Sequence, residues 1–220
     1  MELDDALSRR KMVRSFAPRP LPPAVVDRLL AAALRAPTAG NTKGTAWVVL
    51  EGAEETRRYW DAVTTAGWRH ASSRWPGLAR APVIAVSLVS PPAYVARYRE
   101  ADKAEAGPEA PPSSRNNALG TGESAWPVPY WWGDAAFGVM SVLLGAVDEG
   151  LGACFLGNFR GETALLSALG VPEGWRVFGT VALGYPDGDD HRSPSLDRHG
   201  PPASARLHRG RWGGEATADT

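Results

Sequence analysis

Arg10, Lys11 and Arg14 stand at i, i+1 and i+4 just past a short stretch suited to a helix, which places the two guanidiniums on one side. Two forks held that way can clamp a phosphate and a second anionic group. The same spacing also fits a solvated basic turn. Other chemistry-bearing residues are sparse. The histidines, His70, His191, His199 and His208, show no metal-ligand spacing. Cys154, the one cysteine, lies in an apolar strand-like run, where a free thiol behaves as a small hydrophobe. No G-x-G-x-x-G opens a helix after a strand, no G-x-x-x-x-G-K-S/T loop cradles phosphates, and no G-x-S-x-G supplies a nucleophilic serine. Chemistry without a protein nucleophile or a metal points to an organic cofactor.

Composition narrows the classes further. The 220 residues carry 24 Lys plus Arg against 24 Asp plus Glu, so the formal net charge is zero. That balance speaks against general binding of nucleic acid or a membrane surface, which needs a basic surplus. The length suffices for one domain with a proper core and no covalent staple. A single cysteine excludes an intramolecular disulfide and a Cys-based zinc cluster, and fits a reducing compartment. The start, Met1-Glu2-Leu3-Asp4-Asp5, is acidic and lacks the apolar run of a signal peptide. The apolar stretches fall short of the roughly 20 residues of a membrane span. A soluble cytoplasmic protein is the expectation.

The elements that must position these residues read as follows. Residues 3–9 suit a short helix, and Pro18, Pro20 and Pro22 force an extended stretch before a helix opening at Pro23. Val26, Leu29, Leu30, Ala33 and Leu34 share one helical face, and Pro37 stops it. Strands are expected at 46–50, 82–89, 153–156 and 177–183, the second buried on both faces. Helices are expected at 54–66, 92–103, 134–149 and 162–169. The third is apolar on most of its circumference, which places it in a domain centre or at a subunit interface. Residues from Ala104 to about Ser124 offer little to bury, as in a lid or a disordered loop. The order of elements favours α+β over a doubly wound sheet.

The order of several motifs resembles the FMN-dependent nitroreductase family. Arg10-Lys11-Met12-Val13-Arg14-Ser15-Phe16, a proline-led helix and Ala36-Pro37-Thr38-Ala39-Gly40-Asn41-Thr42 are similar to its N-terminal signature. Asp134 through Gly157, Leu169-Gly170-Val171-Pro172-Glu173, Gly179 to Pro186 and the closing Leu207-His208-Arg209-Gly210-Arg211-Trp212 match in order, so the likeness omits only about 104–125. The resemblance implies an α+β sandwich, a central mostly antiparallel sheet flanked by helices, in a domain-swapped homodimer with FMN at the interface. It implies one domain over 1–220, with a flexible lid at about 104–125 and a C-terminal extension at about 187–220.

On that resemblance Arg10 and Arg198 hold the FMN phosphate, and Lys11 and Met12 lie against phosphate and ribityl chain. Arg14 lies beside the flavin pyrimidine. Pro37, Thr38, Ala39 and Asn41 reach the flavin largely from the partner subunit, and the amides of Gly157 and Asn158 face N5 and O4. The chain departs from the family pattern where Met12 replaces a small polar residue. Asn41-Thr42-Lys43-Gly44-Thr45 replaces N-x-Q-P-W, and Leu196 replaces a second C-terminal basic residue. Trp126 and Tyr130 are candidates to stack on a flat substrate, or else are core; Trp131 and Trp132 read as core. The activity implied is ping-pong transfer of a hydride from NAD(P)H through FMN to a small electron-poor acceptor, a nitroaromatic or quinone, without a side-chain acid or base. Alternatives are a biosynthetic flavin dehydrogenase or reductase with a specific metabolite, and a non-catalytic flavin-binding protein.

Overall fold

Apolar runs of two periods, near 3.6 and near 2, divide the chain into helices and strands that can bury their faces only against each other. The computed structural model describes residues 1–65, 75–103, 116–158, 160–188, 190, 193–198, 200–202 and 205–214. Helices α1 (Leu3–Arg9) and α2 (Pro23–Leu34) precede strand β1 (Thr45–Glu51) and helix α3 (Gly52–Val63). Strand β2 (Val83–Val89) leads into α4 (Pro91–Arg97), and the one-turn α5 (Asn116–Leu119) precedes the long α6 (Tyr130–Asp148). Strand β3 (Gly152–Leu156), α7 (Glu162–Ala168) and β4 (Arg176–Gly184) follow.

The strands form one antiparallel sheet in the order β1-β2-β4-β3. Every residue of the central β2 is buried, Ser87 included, as its nearly unbroken apolar run requires. On one face Val26 and Leu29 of α2 and Val139, Val142 and Leu143 of α6 pack on Val83, Val181 and Leu183. On the other, Tyr59 and Trp60 of α3 and Leu165 of α7 pack on Ile84, Val86 and Leu88. Fully buried side chains of this kind contribute about 1.5–3 kcal/mol each. A Cβ on Gly179 would overlap the Phe155 ring, so glycine there lets Phe155 cross β4 and stack on Phe178 at 5.4 Å.

Three boundaries differ from the sequence reading by three residues or more. Helix α6 begins at Tyr130, four residues before the expected start, because Pro129 supplies a fixed turn at its N-cap. Helix α4 ends at Arg97, and turns carry the chain on to Lys103. Helix α3 stops at Val63, where β-branched Thr64 and Thr65 take over. Of the expected lid, residues 104–115 lie outside the described residues. Residues 116–125 hold α5 and a helical turn at Glu123–Ala125, tied down where Arg99 Nε donates to Gly120 O at 2.5 Å.

Helix α6 is long and apolar enough to cross a membrane by length and composition alone, more than its sequence run suggested. Its buried face (Trp131, Ala135, Gly138, Val139, Val142, Leu143, Ala146) instead packs within the protein, against α2 and the sheet. Phe137 on the opposite face stays 53% exposed, together with Leu3 and Leu7 of α1 and Leu34 of α2. Residues Met1–Asp190 form one compact unit and His191–Thr220 a second. Within the second, Pro194–Asp197 form a helical turn and the His208 and Trp212 rings pack at 4.2 Å.

Candidate active site

Beyond α1 the chain runs beside the outer edge of β3. Met12 bridges Ala153 in parallel, Val13 N donates to Ala153 O at 2.9 Å, and Phe155 N donates to Met12 Sδ at 3.4 Å. Met12 thereby packs against both core layers, which a small polar residue at this position would not do. Arg14 follows, half-buried and fixed three ways. Its backbone N–H donates to Asp190 Oδ1 at 2.7 Å, its Nη1 donates to Met12 O at 3.1 Å, and its guanidinium lies 4.9 Å from the Trp75 ring centre. Stacking on an aromatic face suits the planar, weakly hydrated guanidinium. Arg10 caps α1 by donating its backbone N–H to Ala6 O, and among the described residues neither Arg10 nor Lys11 forms a salt bridge.

Gly157 and Asn158 close β3 at its far end. The Asn158 side chain turns inward: Thr180 Oγ1 donates to its Oδ1 at 3.0 Å, and its Nδ2 donates to the Tyr59 hydroxyl at 3.5 Å. Burial raises the Tyr59 pKa above its ordinary value, so the phenol stays neutral. The side chain being held inside, the turn presents backbone. Beside it a cleft of about 420 Å³ is lined by Tyr59, Leu78, Leu156, Gly157, Asn158 and Arg160 among others. A larger cleft, about 650 Å³, lies between α3 and Ala79–Pro82, bordered by Pro18, Pro20 and Trp60. It touches none of the expected site residues, so the smaller one is the better candidate. Cys154 is 1% exposed, and burial pushes its thiol up to about 11. About one thiol in ten thousand is then ionised at neutral pH, which suits a packing role.

The second group of expected site residues sits elsewhere. Pro37 is exposed and Thr38 and Ala39 are half-buried, leading into a tight loop before β1. Thr38 Oγ1 donates to Thr42 O at 2.7 Å and Thr42 Oγ1 to Ala39 O at 2.6 Å. Gly40 (φ 64°) and Asn41 (φ 53°) are both left-handed, a conformation that Gly and Asn tolerate best. Lys43 Nζ donates to Asn41 Oδ1 at 3.0 Å, which leaves the Asn41 amide NH₂ pointing its donors elsewhere.

Trp126 and Tyr130 lie on this side too. Trp126 is only 6% exposed: its Nε1 donates to Leu119 O at 2.9 Å, and Tyr94, Tyr98, Tyr130 and Trp131 surround its ring. Tyr130 is 49% exposed and is the member with a free face. Trp131 is core, and Trp132 stacks on Phe178 at 6.2 Å. Loop 37–44 enters β1 at one edge of the sheet, whereas Met12 bridges β3 and Gly157 follows β3 at the other. Three strand spacings, about 14 Å, separate those edges. Within one chain the two groups of expected site residues lie at opposite edges of the sheet.

The sequence model of the nitroreductase family matches residues 7–185. The chain belongs to the nitroreductase family. A relative from Archaeoglobus fulgidus, provisionally named an NADH dehydrogenase/NAD(P)H nitroreductase, is 25% identical over 206 residues, covering 92% of this chain and 94% of its own. Among solved structures, a nitroreductase family protein from Clostridium difficile 630 superposes with a TM-score of 0.65 at 15% identity, over 96% of this chain and 99% of the other. A nitroreductase with bound FMN from Bacteroides fragilis superposes with a TM-score of 0.59 at 19% identity, over 88% and 92% of the two chains.

In this nitroreductase-family chain Arg198 is exposed and its backbone N–H closes the Pro194–Asp197 turn onto Ser195 O at 3.3 Å. Arg198 belongs to the second compact unit, apart from the one that carries Arg10. Sequence reasoning missed Trp75, Tyr59, Asp190 and Asp134. Only the last left a signal, a lone carboxylate early in an otherwise apolar helix, where an unpaired buried charge is rare.

Proposed function

We propose that this chain is an FMN-dependent oxidoreductase acting as a homodimer, which takes a hydride from NADH or NADPH and reduces an electron-poor acceptor such as a nitroaromatic or quinone. Family membership, an NAD(P)H nitroreductase relative and an FMN-bound fold neighbour support this reading. The observation that carries it is the placement of the expected site residues at opposite sheet edges, Arg10, Lys11 and Arg14 beside β3 and the tight loop 37–44 entering β1, with Tyr130 half-exposed. The residues suit the group. Arg10 and Lys11 bring two positive charges for a phosphate, and Gly157 leaves room for close backbone approach.

The bound group supplies hydride transfer at flavin N5, with NAD(P)H oxidised to NAD(P)⁺ and the acceptor taking two electrons plus protons from water. Every other role belongs to the chain. Arg10 and Lys11 would hold the phosphate, and Arg198 is a separate candidate for it. Arg14, stacked on Trp75, holds a cation beside the flavin pyrimidine, where negative charge gathers on reduction. Gly157 and Asn158 would offer backbone N–H groups to the flavin, and Met12 packs against β3. Pro37, Thr38, Ala39 and Asn41 cover the partner's flavin. Tyr130 stacks on the acceptor, and Trp126 forms the wall behind it.

Tyr130→Ala is expected to raise the acceptor KM several-fold while leaving flavin reduction by NAD(P)H unchanged in rapid mixing. Slowing confined to flavin reduction would assign this wall to the nicotinamide instead.

A further inference from the structure

Asp134 is 5% exposed, in the second turn of α6, one turn beyond Tyr130. Its Oδ2 accepts two hydrogen bonds, from Ala39 N at 2.8 Å and from the Tyr94 hydroxyl at 2.8 Å. Tyr94 is fully buried, and burial together with the Asp134 carboxylate holds its pKa well above the ordinary value, so it stays a neutral donor. Its ring occupies the space a Cβ on Gly44 would need. A second tie reaches the same loop from below, where Arg97 Nε donates to Gly40 O at 2.9 Å. The loop therefore meets three fixed points, at Ala39, Gly40 and Gly44, and these bracket the two left-handed residues Gly40 and Asn41.

We propose that Asp134 is a positioning residue that sets the flavin-facing loop 38–44 through the Ala39 amide and locks it to the helix carrying Tyr130. The proposal rests on the functional reading above, because it takes this loop to be the one covering the flavin. A buried carboxylate is a costly way to join two elements when apolar contact would serve. It is suited to fixing the direction of one backbone N–H, since charge-assisted hydrogen bonds are short and directional. The loop and the acceptor wall then move as one body, so the cover over the flavin and the face that receives the acceptor stay in register.

The test separates positioning from stability. Purified full-length protein is titrated with FMN, and thermal unfolding is followed in parallel, for Asp134→Leu, Tyr94→Phe, Asp134→Asn and the double variant Tyr94→Phe with Asp134→Leu. The single Asp134→Leu change leaves both donors unpaired, so melting temperature falls and FMN binding weakens roughly ten- to a hundredfold. Tyr94→Phe keeps the Ala39 bond, so FMN binding stays within about threefold whatever the melting temperature does. Asp134→Asn retains a carbonyl oxygen for the same donors and restores most of the affinity. In the double variant both members of the buried Tyr94–Asp134 pair become apolar, which recovers stability. The Ala39 amide remains loose, so affinity does not recover.

Affinity that follows melting temperature across all variants, or that recovers in the double variant, overturns the proposal. If Asp134→Leu does not fold, the double variant and Asp134→Asn decide by the same comparison. A wild-type protein that holds no FMN overturns the functional reading along with the proposal. Failure of the proposal alone is a wild type that binds and variants that bind equally well.

Discussion

A monomeric form of this chain is expected to hold no FMN. The cationic residues run beside β3 and the loop enters β1 at the opposite edge of the sheet, about 14 Å away, and the dimer proposed above would bring one copy's loop to the other copy's cations. Helix α6 offers the surface for it. Phe137 is half-exposed on the face turned from the core, and Leu3, Leu7 and Leu34 of the neighbouring helices α1 and α2 are exposed as well. Exposed apolar side chains on this long apolar helix suit an interface. Phe137→Glu places a charge there without touching the buried face of α6. Sedimentation velocity followed at flavin wavelengths should show this variant dissociating and releasing its flavin together. A monomer that sediments with FMN still bound contradicts the shared-site arrangement.

The second large effect concerns the phosphate. Arg10→Ala and Arg198→Ala should each weaken FMN binding by roughly ten- to a hundredfold, the value of one charge-assisted hydrogen bond of about 1.5–3 kcal/mol. Arg10 enters this role from a fixed backbone, its N–H capping α1. Arg198 enters it from the edge of a helical turn, with Leu196 in place of a second cation. Binding should also weaken as salt rises, because both groups are solvent-accessible in part. Equal FMN affinity in wild type and both variants removes these residues from the phosphate site.

Most of the fold was legible because its signals are local. The apolar run of β2 states a strand buried on both faces, and Pro23 and Pro37 punctuate α2. The start of α6 was misplaced because Trp131 and Trp132 resemble the preceding aromatic loop, and only Pro129 marks where the helix turns. The site was less legible, since its connections join residues far apart in the chain. Arg14 stood out by spacing, yet Trp75 beneath it and Asp190 against its backbone carry no pattern that points to Arg14. Asn158 reads from the sequence as part of a turn that offers backbone amides, and nothing local shows that Thr180 and Tyr59 draw its side chain inward. Trp126 was open between stacking and core. The hydrogen bond to Leu119 and its ring neighbours place it in the core layer in this chain, and Tyr130 keeps the free face.

The central claim is that the chain binds flavin and turns it over with a nicotinamide. It is tested most directly by the visible absorption spectrum of the purified full-length protein, recorded without oxygen before and after adding NADH or NADPH. The account predicts flavin bands that bleach with about one equivalent of at least one of the two nucleotides and return when a quinone or nitroaromatic is added. A protein that remains colourless after incubation with FMN, or flavin bands that neither nucleotide bleaches, contradicts it.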